Sequence, residues 1–166
     1  LSGSEGRRAG ARAVRFFASA GPRPRAPVRL FLASSAVLLL AQLSQRFLEG
    51  ELTPAGVVSR YLGSGDPAEV MPLTALVEAL HGGAFLHGFL LLMVGSLLVT
   101  ADVADRLRVA LTVGAASCCV LDLLAPFAVV YGHWGAALRV GAFLLAFGLL
   151  LGGLVVIAVA PERRGS

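Results

Sequence analysis

The side chains whose chemistry could go beyond packing are few in this 166-residue chain: three histidines, two adjacent cysteines and a scatter of carboxylates and arginines. Two of the histidines fall in one apolar run, Glu78-Ala-Leu-His81-Gly-Gly-Ala-Phe-Leu-His87-Gly88. Thr74, His81, Gly88 and Gly95 recur every seven residues and so share nearly one face of a helix. A histidine followed by glycines on its own face suits a flat, wide group such as a porphyrin lying against the helix. Helix packing reads the same pattern differently: small residues at this spacing let backbones approach, and His81 then hydrogen-bonds across the bundle. His87 points about 120° away and about 9 Å deeper, so one iron cannot take both imidazoles. The pair expected to ligate a b-type haem is His81 with His133, the latter returning in Tyr131-Gly-His-Trp-Gly135. In that arrangement Gly88 leaves room for the ring, and Arg46 and Arg139 pair with the propionates. His133 also reads as an interfacial residue beside Trp134, an anchor at headgroup level.

Two carboxylates are candidates for proton chemistry. Asp122 stands four residues before Pro126, whose missing N–H leaves the Asp122 carbonyl without its helical partner. It is read either as a proton acceptor for a quinol or as a bridge to Arg139. Glu78, one turn before His81, either orients that imidazole and relays a proton or reaches to the interface. Cys118 and Cys119 are neighbours on a helix and point about 100° apart, a poor geometry for a disulfide, so they read as small core residues. No CxxCH, P-loop, GxSxG or HExxH motif occurs, which excludes covalent c-type haem attachment and the chemistry those motifs carry.

The elements that must position these residues are set by lipid. With 57% hydrophobic and 14% charged residues and a mean hydropathy of +0.81, the chain is too apolar for a water-soluble domain. Four stretches, Val28 to Leu48, Leu73 to Thr100, Arg108 to Tyr131 and Ala136 to Ala160, reach the roughly 20 residues that a spanning helix needs. The expected fold is an all-α membrane protein, a four-helix up-down-up-down bundle joined by short links. All 14 basic residues are arginine. Eleven lie in the first segment, in the link between the second and third spans, and in the tail. Arg46, Arg60 and Arg139 alone lie on the other side, which predicts cytoplasmic termini. Under that topology Arg46, Glu78, His81, His87, Asp122, His133 and Arg139 all belong to the outer half or its rim, while the inner half is almost wholly Leu, Val, Ala and Gly. A site open to the extracytoplasmic face is expected.

The domain reading has three parts. Residues 1–27 form a basic arm, expected to be mobile, whose Ala13 to Ala20 portion with Phe16 and Phe17 suits an anionic membrane surface. A cleaved leader is disfavoured by the long first span, which ends in Gln42, Gln45 and Arg46 with no small-residue cleavage site. Residues 28–160 form the bundle, with an extracytoplasmic loop over residues 49–72, and residues 161–166 a cytoplasmic tail. Thr53 followed by Pro54 caps a short interfacial helix over Pro54 to Leu62 that stops at Gly63. Val57, Val58, Tyr61 and Leu62 are set against the membrane or a partner, with Arg60, Asp66 and Glu69 toward water.

The stretch Val77 to Leu98, the segment Asp102 to Arg108 and Leu121-Asp122-Leu-Leu-Ala-Pro126 resemble small four-helix bacterial membrane proteins found with periplasmic multihaem cytochromes. The likeness covers about a third of the chain. It implies an inner-membrane electron-transfer subunit with b-type haem that exchanges electrons with quinol, and a partner on the loop from Glu49 to Pro72. Diheme b-type cytochromes use four bundle histidines where this chain has three, which speaks against two bis-histidine haems. The alternative is a cofactor-free structural or anchoring subunit of a larger membrane complex. A transporter or channel is disfavoured by the apolar inner half, and nucleic acid is not expected as a partner.

Overall fold

The computed structural model describes residues 25–63 and 70–160, with side chains from residue 27 onward in the first segment. Residues 1–24 of the basic arm, Asp66, Glu69 and the tail lie outside the described residues, and residues 25–27, read as the end of the arm, already belong to the first helix. Among the described residues five helices follow one another: α1 Arg25–Leu48, α2 Pro54–Leu62, α3 Leu73–Thr100, α4 Asp105–Val129 and α5 His133–Val159. All but α2 are long and apolar enough to cross a membrane.

Pro54 opens α2 because its absent N–H falls where the first turn has no acceptor to offer. Thr53 accepts from the Gly56 N–H at 3.1 Å, and the Gly63 N–H closes the other end on the Ser59 carbonyl. Gly56 is required for packing: a β-carbon there would run into the Gly50 carbonyl. At the opposite end of the bundle, Arg108 donates to the carbonyls of Leu98, Ala101 and Val103 and so seals the end of α3, where helical partners run out.

Helix α5 is the centre of the bundle and touches each of the other four. Its contact with α4 is the most extensive, as the short link between them forces antiparallel neighbours. Gly135 allows the link to close, since any side chain there would meet the Ala128–Val129 backbone. The main core joins Leu39 of α1, Leu90, Val94 and Leu98 of α3, Ala115 and Cys119 of α4, and Ala146, Leu150, Leu154 and Ile157 of α5. Cys118 and Cys119 are free thiols, with Cys119 in this core. Helix α1 is the most weakly seated span, with 11% of its most apolar window buried against 39% for α5.

A second core fixes the orientation of α2. Val57 and Tyr61 are buried against Leu76, Val129 and Ala136, with Val58 and Leu62 alongside. The apolar face of α2 is therefore spent on the bundle's own helices, which makes α2 a cap over the end where the α1–α2 turn and the α4–α5 link lie.

Candidate functional site

Under the cap lies a cluster of charges drawn from every helix. Arg46 ends α1, Glu51 sits in the turn before α2, Arg60 and Tyr61 belong to α2, His87 to α3, Asp122 to α4 and Arg139 to α5. Glu51, His87, Asp122 and Arg139 are buried, at 3%, 3%, 0% and 7% exposure. Charges this far from water persist only with partners.

Glu51 is the hub. It accepts from Arg46, from Arg139 through Nε at 3.1 Å and a terminal nitrogen at 2.8 Å, and from Arg60 Nε at 2.7 Å. Burial alone would raise its carboxyl, but Arg139 and Arg46 outweigh that and hold it below the usual carboxylate range. Arg60 continues to Glu49 at 3.2 Å. The Tyr61 hydroxyl is pushed upward, mainly by burial, and its ring lies under the Arg139 guanidinium, 5.1 Å from the centroid. Arg46 rests likewise on Phe143 at 5.0 Å, a weakly hydrated guanidinium against an aromatic face.

Asp122 is the second centre. Its Oδ2 accepts from Arg46 at 2.8 Å and faces His87 Nε2 at 3.5 Å. The backbone carbonyl of Asp122, released from the helix ladder by Pro126, accepts from Arg139 at 3.1 Å. One arginine thus ties the cap carboxylate to the backbone break in α4. Asp122 Oδ1 has no hydrogen-bond partner among the described residues; the nearest charge is Arg139 at 3.9 Å. Beside it lies a cavity of about 30 Å3, lined by Arg46, Asp122 and Arg139 and by Leu76, Ala79, Leu80, Gly83, Leu123 and Pro126.

Of the residues singled out from the sequence, the structure gathers Arg46, Asp122 and Arg139. Both arginines are engaged by carboxylates within the chain. His81, Glu78 and Gly88 lie exposed on the outside of α3, and His133 is exposed at the first position of α5. Space beside Gly82 and Gly88 is open, whereas Gly95, further along α3, lies against Thr112 of α4. His87 faces the bundle interior. Glu51 is the member that sequence reading missed. Its signal was charge balance: three arginines share this end of the bundle, and Asp122 cannot neutralise all of them.

The chain from Glu51 onward matches the model of a protein family described as a transmembrane helical domain, over residues 51–162. The chain belongs to that family. The matched segment holds the cap helix, three spans and all cluster members except Arg46. No curated protein and no solved structure matches the chain. The family therefore establishes a multi-pass membrane protein whose environment is a lipid bilayer.

Proposed function

We propose that the chain is the membrane subunit of an electron-transfer assembly, set in a bacterial inner membrane with its capped end outside and exchanging electrons between quinol and an extracytoplasmic partner. The observation that carries this reading is the one-sided distribution of buried charge. Glu51, His87, Asp122, Arg46 and Arg139 are collected under the cap, and the far half of the bundle is apolar, which leaves no polar path for a transported solute. The cap itself is tied down by Glu51, so the exposed Ser59 and Arg60 present a fixed polar surface to a partner. The partner's seat is the loop of residues 49–72.

His81, with open space beside Gly82 and Gly88, suits a planar cofactor on the outer face of α3. The residues that would hold a b-type haem are His81 and His133. Bound there, it would supply one-electron transfer. Arg46 and Arg139 would pair with its propionates, in competition with Glu51 and Asp122.

The test is spectroscopic. Protein purified after expression with ample haem supply is expected to show a b-type spectrum reducible by quinol. His81→Ala and His133→Ala should each change or abolish it, and His87→Ala should have the milder effect. A colourless protein overturns the haem assignment, and failure to accept electrons from quinol overturns the electron-transfer reading in favour of an anchoring subunit.

A further inference from the structure

We propose that His87 and Asp122 form a proton-binding site inside the membrane, served by water in the cavity that Asp122 lines. The hydrogen bonding of His87 leads to it. Its Nδ1 lies 2.8 Å from the Gly83 carbonyl, which can only accept, so Nδ1 carries a proton. In neutral imidazole, Nε2 then holds only a lone pair, and that lone pair faces Asp122 Oδ2 at 3.5 Å. Two acceptors confront one another across a gap wider than the roughly 2.7–3.2 Å of an ordinary N–H···O bond. One added proton on Nε2 turns the confrontation into a charge-assisted hydrogen bond from imidazolium to carboxylate. The proton is delivered by hydronium: one O–H bond of the donor breaks, one N–H bond forms on Nε2, and a neutral water is left behind.

Access is provided by the cavity. At about 30 Å3 it has room for water, and Arg46, Asp122 and Arg139 on its wall supply the polar partners that a buried water needs. The fully buried Asp122 Oδ1, with no hydrogen-bond donor among the described residues, is the acceptor such a water satisfies. Charges of both signs surround the pair. Arg46 from α1 and Arg139 from α5 repel it, while Asp122 and Glu51 attract it. Cys119 lies one turn before Asp122 on α4, and Tyr61 closes the cluster from α2. Such a site can take up a proton whether or not the chain also carries electrons.

The experiment is nitrogen NMR on the full chain in lipid nanodiscs, with histidine labelled and its three signals assigned through His81→Gln and His133→Gln. On acidification across the range in which the protein stays folded, the His87 ring is expected to convert from the Nδ1–H form to the doubly protonated form. The labelled Asp122 carboxyl carbon should move in step, and the ring should show magnetisation transfer from water. In Asp122→Asn the ring should stay neutral over the same range. The wild-type measurement decides even where that variant does not fold. A His87 ring that remains singly protonated, an Asp122 signal that moves without it, or a ring with no transfer from water would overturn the proposal.

Discussion

Glu51 carries more of the capped end than any other side chain because it is the meeting point of arginines from three helices. Replacing it with glutamine keeps the shape but leaves buried Arg139 without its principal counter-charge. Breaking a buried pair from one side costs about 3–5 kcal/mol. The Glu51→Gln chain should therefore unfold far more easily in detergent, whereas Arg60→Ala, at a half-exposed arm of the network, should lose only about 0–1 kcal/mol. Thermal unfolding of both variants checks the contrast. The pH dependence has a definite sign. A carboxyl held below its unfolded value of 4.5 contributes stability that is present above that value and lost as pH falls through the lower folded value. Wild-type stability should drop on acidification below about the ordinary carboxylate range, and Glu51→Gln should be flatter there. The histidines show why such a hub escapes sequence reading. His81 and His87 sit in the same run, and a glycine face was legible, but which face turned inward depended on α4 and α5. His87 is buried and faces Asp122, a partner far away in sequence.

The cap helix shows the opposite case, in which local chemistry determined the element. Thr53, Pro54 and Gly63 are start and stop signals within one short segment, and Pro54–Leu62 follows from them directly. Its packing partner was less legible: Val57 and Tyr61 form an apolar face that would suit lipid or a partner equally well until Leu76, Val129 and Ala136 are in place. That packing bears on any attempt to remove the cap. Deleting residues 54–62 would strip the second core as well as the outer surface, so point changes are the sharper tool. Thr53→Ala should cost about 1 kcal/mol through the lost cap bond, and hydrogen exchange should rise in α2 before it rises in α3 to α5. Gly135→Ala acts on a different element. Its β-carbon would press on the Ala128–Val129 backbone, which cannot yield as a side chain can, so α4 and α5 must separate at their link. The expected outcome is a lower unfolding temperature with both helices retained by circular dichroism.

At the scale of the whole molecule, four spans put the two ends of the bundle's path on one side, and the arginines decide which side that is. Spans were legible because lipid demands continuous apolar length, and no distant contact is needed to read that. How α1 joins the rest was not. This helix lies outside the matched family segment, is the least buried span, and is tied to the cap by Arg46 reaching Glu51 and Asp122, with Ser35 near Met93 deeper in the bundle. The arginine at its end is thus both a topological signal and a fastener, and the two roles can be separated by experiment. Arg46→Ala should loosen α1 without inverting the chain, because eleven arginines on the opposite side still bias insertion. A single cysteine at Ala55, on the exposed face of the cap, should react with a membrane-impermeant thiol reagent added to intact cells, in wild-type and Arg46→Ala backgrounds alike. A cysteine at Asp102, exposed in the α3–α4 link, should react only after the membrane is opened. Cys118 and Cys119, within α4, serve as the background control. The reverse labelling pattern would place the capped end in the cytoplasm, and with it the charged cluster, the cavity and the docking surface.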